Sequence, residues 1–184
     1  MSKKVLIISA SFRPNSNSDT LAHEAQRGAI ETGNEVEFIN LRDKNINFCK
    51  GCSACQRTLK CVIRDDMDEL IEKVKNADVL IFATPIYFYE MSGQLKTFLD
   101  RCNPLYPTDY NFRDVYLITT SQVPEDHASD TATTGVLGWI TCFDKANLAG
   151  IIIGAGVGTV ANGAEDISSR PDLLEQAYEL GRNL

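Results

Sequence analysis

The fold is decided by one stretch near the start of the chain, Val5-Leu6-Ile7-Ile8-Ser9-Ala10-Ser11-Phe12-Arg13-Pro14-Asn15-Ser16-Asn17-Ser18. Its four leading apolar residues predict a buried strand, and a helical pattern begins directly after it at residue 19. The connecting loop is rich in hydroxyl and amide groups, and a helix N-terminus adds free backbone N–H groups and the positive end of the helix dipole. The stretch therefore predicts a strand-loop-helix unit that binds an anion.

The donors in this loop indicate which anion it binds. The loop contains no glycine and no lysine, so it is neither a nucleotide-triphosphate loop nor a dinucleotide fingerprint. Without glycine the backbone stays farther from the ligand, so side chains make the contacts, which suits a terminal monophosphate. An ordinary helix N-cap explains one hydroxyl but not the whole set. The candidate phosphate ligands are Ser11, Arg13, Ser16, Asn17 and Ser18.

Strand and helix patterns alternate along the rest of the chain. Strands are predicted at residues 5–9, 36–41, 79–84, 115–120 and 148–154, each apolar on both faces, and helices at 19–32, 66–76, 92–102, 135–146 and 170–182. Five such units predict an α/β fold, a flavodoxin-like doubly wound five-stranded parallel sheet of order 2-1-3-4-5, in a single domain covering residues 1–184. Ligand contacts are then expected from the loops after strands one, three and four.

Composition limits the classes of partner. The net charge of -7 argues against nucleic acid, and no apolar run is long enough to span a membrane. The first residues begin a strand rather than a signal peptide, so we expect a cytoplasmic protein whose six cysteines stay reduced. The glycine-rich run at residues 154–158 lacks the third glycine of a dinucleotide motif at Thr159 and is interpreted as a turn. His127, in an acidic loop, is a candidate for substrate contact.

The segment after the third strand reads Thr84-Pro85-Ile86-Tyr87-Phe88. Pro85 fixes the exit from the strand and leaves the following N–H groups free to face a flat heterocycle with acceptor edges. The aromatic residues provide surface beside such a ring, although an aromatic loop that merely packs on the sheet edge has the same composition.

Four cysteines, Cys49, Cys52, Cys55 and Cys61, lie close together in the sequence. Their spacing can present four thiolates to a 4Fe-4S cluster or to zinc. It is equally compatible with reduced thiols packed as small apolar groups. Because this loop follows strand two, we expect it on the outer flank of the sheet, where a cluster would reach a flavin across a dimer interface more easily than one in the same subunit.

Taken in chain order, the hydroxyl-rich loop, the clustered cysteines and the segment from Thr84 resemble the three motifs of the flavodoxin-like NAD(P)H-dependent FMN reductases, including the iron-sulfur flavoproteins. The resemblance covers about residues 1–120 and departs from the family pattern at Ala10, where glycine is usual, and at Ser18, where threonine is usual. It implies bound FMN, held by the phosphate ligands above and by Thr84, Pro85, Ile86, Tyr87, Phe88, Thr120 and Ser121, with Gln122 in the same loop.

The resemblance also implies a function. NAD(P)H would donate hydride to FMN, which passes electrons to a small acceptor such as a quinone, a nitro or azo compound, or free flavin. The flavin carries the chemistry, so no catalytic side chain is expected. The family usually covers its flavin from a partner subunit, so a homodimer or homotetramer using residues 87–101 is expected. The alternatives are an iron-sulfur flavoprotein, a flavodoxin-like electron carrier without hydride transfer, or a redox-sensing regulator.

Overall fold

Five parallel strands form the centre of the computed structural model, which describes residues 2–158 and 165–184. The strands are β1 (Lys4–Ser9), β2 (Glu35–Asn40), β3 (Val79–Tyr87), β5 (Asp114–Thr120) and β6 (Asn147–Gly154), in the order β2-β1-β3-β5-β6. A further strand of two residues, β4 (Glu90–Met91), pairs antiparallel with the end of β3. Counted without β4, the order is the predicted 2-1-3-4-5, so the flavodoxin-like fold is confirmed.

Helices cover both faces because successive side chains of each central strand point to opposite sides. Val5 and Ile7 pack toward α1 (Asn17–Glu31) and α6 (Pro171–Arg182). Leu6 and Ile8 belong to the second core, which is formed with α3 (Met67–Asn76), α4 (Gly93–Arg101) and α5 (Asp130–Ile140). A short helix, α2 (Ala54–Thr58), lies between β2 and α3, where the sequence pattern predicts no helix.

The edge strands differ from the prediction that every strand is buried on both faces. Side chains of β1 and β3 are almost all buried, whereas β2 and β6 alternate between exposed and partly buried positions. An edge strand has a neighbour on one side only, and the helices cover it incompletely. Apolar composition alone does not distinguish a central strand from an edge strand.

Two elements begin or end where the sequence does not predict them. Helix α5 starts at Asp130 and ends at Ile140, several residues earlier than the predicted 135–146. Gly135 lies inside the helix, where a β-carbon would come within 2.7 Å of the flexible end of the Met91 side chain. Gly135 therefore does not mark a helix start, and its lack of a side chain leaves room for Met91 of β4. Strand β3 also differs from the prediction, because it continues through Pro85 to Tyr87 rather than ending at residue 84.

Helices α1 and α6 approach each other closely at Gly181, where a β-carbon would lie 2.0 Å from the carbonyl oxygen of Ala25. Among the described residues, no helix combines the length and apolar character needed to cross a bilayer. The turn interpretation of residues 154–158 fits the structure, in which β6 ends at Gly154. Thr159, on which that interpretation also relied, lies outside the described residues.

Candidate functional site

A cleft lies at the edge of the sheet where the parallel strands end. The register places Ser9 opposite Ala83 and Pro85 opposite Thr120, which in turn lies opposite Gly154. Loops leaving this edge therefore converge, as expected at the switch point of a doubly wound sheet. The cleft is lined by Ser11, Arg13, Ser16, Asn17, Pro85, Ile86, Tyr87, Thr120, Gln122, Val157 and Gly158.

A larger cleft exists at the opposite ends of β1 and β2. Four carboxylates line it, those of Glu35, Glu37, Glu69 and Glu72, together with Lys4 and Lys73. Lys73 is already paired with Glu37 at 2.6 Å and with Glu69 at 3.0 Å. Because ligands of such sheets bind outside the carboxyl ends of the strands, we assign the functional site to the first cleft.

The N-terminus of α1 forms the end of the cleft at which the sequence predicts phosphate binding. Ser16 is the N-cap of that helix and accepts the N–H of Asp19 at 3.2 Å, and its hydroxyl lies 3.3 Å from that of Ser18. The Ser11 hydroxyl accepts the N–H of Arg13 at 3.3 Å. Arg13 itself is exposed at the rim, which leaves its guanidinium available to an anion. These groups meet the needs of a phosphate monoester.

Asn17 has a role that the sequence does not indicate. Its side-chain amide donates to the carbonyl of Gly158 at 3.0 Å, and its side-chain oxygen accepts the N–H of Ile167 at 3.4 Å. The side chain thus holds the chain that follows β6 against the phosphate loop. Val157 and Gly158, which this contact brings to the cleft, are not among the predicted site residues, although the glycine-rich run was a signal for them.

Asp19 is the principal polar residue that sequence reasoning missed. Its carboxylate is buried and accepts hydrogen bonds from the Ser9 hydroxyl and from the Asn40 side chain, the latter at 3.1 Å. The guanidinium of Arg42 lies 3.8 Å away. Asp19 therefore joins the ends of β1 and β2 beneath the phosphate loop. In the sequence it is indistinguishable from an ordinary acidic residue in the first turn of a helix.

The flavin loop, residues 84–92, is fixed to the phosphate loop through Ser92. Ser92 is buried, donates its hydroxyl to the carbonyl of Ala10 at 3.2 Å and accepts the N–H of Leu95 at 3.4 Å as the N-cap of α4. Its own N–H donates to the Thr84 hydroxyl at 3.0 Å. Thr84 is thus a buried support behind the cleft rather than part of its lining.

The aromatic residues of this loop separate into two groups. Tyr87 lines the cleft, whereas Phe88 is 100% exposed at the tip of the β3–β4 turn. Phe88 and Tyr89 both have positive φ, +52° and +64°, a strained conformation for bulky residues and the one that a two-residue hairpin turn requires. The Tyr89 ring stacks on His127 with centroids 5.9 Å apart.

The remaining predicted ligands lie around the cleft. Thr120 lines it, and Ser121 is buried beside it, donating its hydroxyl to the carbonyl of Val123 at 2.8 Å. Ser18 is buried in the first turn of α1 behind Ser16. The structure thus brings most of the predicted ligands together at one site, places Ser18, Thr84 and Ser121 behind its wall, and places Phe88 outside it.

The four clustered cysteines line a second, smaller cavity together with Arg101 and Asn103. Cys55 is buried there, and burial and the neighbouring Cys61 raise the pKa of its thiol. Cys55 accepts a hydrogen bond from the Asn103 side chain at 3.3 Å. Among the described residues, no three His, Cys, Asp or Glu side chains are arranged to ligate a single metal ion.

The position of this cavity contradicts the expectation of an outer-flank loop. Residues 48–62, here called the cysteine segment, fold back against the C-terminal end of α4, where Gln56 donates to the side chain of Asn103, two residues beyond the helix, at 3.1 Å. The fold back is stabilised by the Arg101 guanidinium, which binds the Asp65 carboxylate at 2.6 and 2.8 Å. The flavin loop leads directly into α4, so cleft and cavity lie at the two ends of one helix.

Comparison with known proteins identifies the family. A family model described as NADPH-dependent FMN reductase matches residues 3–144. The chain belongs to this family. Two archaeal relatives named iron-sulfur flavoproteins match part of it: one from Methanocaldococcus jannaschii is 47% identical over 102 residues, 55% of this chain and 53% of that protein. The other, from Archaeoglobus fulgidus, is 39% identical over 101 residues, 55% of this chain and 46% of that protein. The chain spans about half the length of the curated relatives it matches.

Solved structures confirm the family's fold for this chain. An NAD(P)H:quinone oxidoreductase from Methanothermobacter marburgensis superposes with a TM-score of 0.78 at 19% identity, covering 100% of this chain and 96% of that one. An azoreductase from Bacillus anthracis gives 0.74 at 16% identity and covers 100% of both chains. At such low identity these likenesses define the fold alone.

Proposed function

We propose that this protein is an FMN-dependent NAD(P)H oxidoreductase that passes electrons to a small acceptor such as a quinone, a nitro or azo compound, or free flavin. One observation carries the proposal: a hydroxyl-lined helix N-terminus and the end of β3, with Tyr87, open into the same cleft. These are the two halves of a site for a phosphorylated, planar heterocycle. The family and the reductase folds of its structural neighbours support the same function.

At the phosphate end, the α1 dipole and the N–H groups of its first turn attract the dianion. Ser11 and Ser16 would place hydroxyls beside it, and the exposed Arg13 would reach it from the rim. At the ring end, Ile86 and Tyr87 would contact the heterocycle, with Thr120 and Gln122 also lining the cleft. Bound FMN supplies hydride acceptance, so the task of these residues is to bind and orient.

The experiment compares a reductase with a passive electron carrier. FMN-loaded protein is mixed with NADPH, and separately with NADH, in the absence of oxygen while flavin absorbance is followed. A reductase bleaches rapidly with one or both nucleotides and recovers its colour when a quinone is added. A spectrum that stays oxidised with both nucleotides refutes the proposal and favours the carrier.

A second candidate function, electron transfer through a 4Fe-4S cluster, is favoured by the cysteine cavity. Cys49, Cys52, Cys55 and Cys61 all line it, and Asn103 already donates to one sulfur. Four thiolates around one space are what such a cluster requires. The relatives named iron-sulfur flavoproteins support this candidate. Protein prepared anaerobically with iron and sulfide should contain about four irons per chain, and wild-type protein without stoichiometric iron excludes it.

We also propose that a second copy of the chain covers the flavin cleft, giving a homodimer or homotetramer. Tyr87, Phe88 and Tyr89 are exposed beside the cleft, and an exposed aromatic group at this place is typical of an interface. Light scattering on FMN-loaded protein should give an oligomer, and a tightly loaded monomer would contradict the proposal.

The six free cysteines support a reducing compartment, for which we propose the cytoplasm.

A further inference from the structure

Arg101 is a buried cation that the proposed flavin chemistry does not use. It is the last residue of α4, it is 1% exposed, and it forms a bidentate ion pair with Asp65, whose side chain is fully buried. Burying two charges is costly, and an apolar pair of similar volume often stabilises a fold equally well. The pair therefore points to a role in fixing a geometry.

The geometry that it fixes is the closure of the cysteine segment, whose two ends it holds together. Arg101 Nη1 donates to the carbonyl of Asn47 at 2.6 Å, and Nη2 lies 3.4 Å from the carbonyl of Ile63. Asp65 accepts the N–H of Asn47 at 2.9 Å and that of Met67 at 3.1 Å. Residues 47 and 63 flank the segment at its two ends. One ion pair thus joins both ends of the loop that carries all four clustered cysteines to the end of α4.

The guanidinium has one donor left over. Nε of Arg101 is buried and has no hydrogen-bond partner among the described residues. A buried donor without a partner is costly and calls for an acceptor. Arg101 lines the cysteine cavity, and its guanidinium interacts electrostatically with the Cys61 side chain. Sulfur atoms of metal centres commonly accept such hydrogen bonds, which tune their reduction potential.

We propose that Arg101 is the positioning residue of the cysteine cavity: through Asp65 it holds the cysteine segment closed, and its unpartnered Nε–H would donate to the sulfur of Cys61 once that sulfur ligates the proposed cluster. The first part concerns the chain itself and holds with or without a metal centre. The second part rests on the proposed cluster where its effect on potential is concerned.

The first experiment uses metal-free, FMN-loaded protein under reducing, anaerobic conditions. Arg101→Lys keeps the charge but removes the bidentate fork and Nε–H. Iodoacetamide modification of the buried Cys55, followed by mass spectrometry, should then accelerate about ten- to a hundredfold, because the segment opens more often. Arg64→Lys is the matched control, since Arg64 flanks the same segment but pairs with Asp68 in an exposed position, and its rate should equal that of wild type. Equal rates in all three proteins overturn the closing role.

Should Arg101→Lys fail to fold, Asp65→Asn removes the other partner of the ion pair and should accelerate Cys55 modification likewise. Wild-type protein supplies a measurement that needs no variant: the amides of Asn47 and Met67, which donate to Asp65, should exchange with deuterium as slowly as those in the interior of α4. Fast exchange at both amides refutes the proposal that the Arg101–Asp65 pair holds the segment closed.

The second experiment uses protein loaded anaerobically with iron and sulfide. If wild type takes up no iron, the cluster function fails while the Cys55 rates still decide the role of Arg101. If it does take up iron, Arg101→Lys should bind less iron or hold a cluster with a more negative midpoint potential, because one donor to sulfur is lost. A purely structural Arg101 would leave the potential of the loaded fraction unchanged, and that result overturns the assignment of Nε.

Discussion

Replacing Ser92 with alanine tests how the two ligand loops are held together. The substitution removes the N-cap of α4, which costs about 1 kcal/mol. It also leaves the buried carbonyl of Ala10 without its donor, which costs about 1–3 kcal/mol. We therefore expect the free energy of unfolding to fall by about 3 kcal/mol, a shift of the urea midpoint by about 1 M.

The matched control is Thr97→Ala in the same helix. The Thr97 hydroxyl donates within α4 to the carbonyl of Gly93 at 2.7 Å, and alanine is the better helix former, so this loss should leave stability within about 0.5 kcal/mol of wild type. Urea unfolding of the FMN-free proteins measures the difference. FMN titration should show weaker binding in Ser92→Ala only. If both variants unfold at the same urea concentration, Ser92 does not connect the loops as described.

Three further predictions follow from other contacts. Arg13→Ala should weaken FMN binding about ten- to a hundredfold and leave riboflavin binding unchanged, with Arg57→Ala as an exposed control; equal losses for both ligands would remove Arg13 from the phosphate site. Burial alone would raise the pKa of Asp65, but hydrogen bonds from Arg101 and three N–H donors outweigh it and lower the pKa from 3.8 to about 2. Its contribution of about 2 kcal/mol should therefore be present above pH 4 and lost as the pH falls toward 2, and Asp65→Asn should abolish this part of the acid transition. Gly181→Ala should destabilise the α1–α6 contact strongly, whereas Gly138→Ala, which meets open space, should be neutral or stabilising by thermal unfolding.

Local chemistry was sufficient to predict residues that line one end of the candidate cleft. Hydroxyl groups between a buried strand and a helix have few other roles, and Ser11 and Ser16 do line the cleft. The same reasoning did not foresee that the Asn17 side chain would be engaged by Gly158 and Ile167, because those residues are distant in sequence. A side chain's type indicates which bonds it can form, but tertiary contacts decide which of them it forms.

The contacts that sequence reasoning missed are those whose partners lie far apart. Asp19 and Arg101 have the composition of ordinary helix residues, and only the fold reveals that each is buried against residues from other elements. The turn at Phe88 and Tyr89 was also missed, since its positive φ angles usually call for glycine or asparagine. The expected outer-flank position of the cysteine segment was wrong because the ion pair between Arg101 and Asp65, which holds the segment against α4, cannot be inferred from the cysteine spacing.

The length of helix α4 sets the distance between the flavin cleft and the cysteine cavity. Its nine residues span about 14 Å at 1.5 Å per residue, from Ser92 beside the flavin loop to Arg101 in the wall of the cysteine cavity. Because each end is anchored by buried hydrogen bonds, thermal motion can change this separation very little. A flavin in the cleft and a centre in the cavity would therefore be held by residues at opposite ends of one helix, at a separation set by the length of that helix.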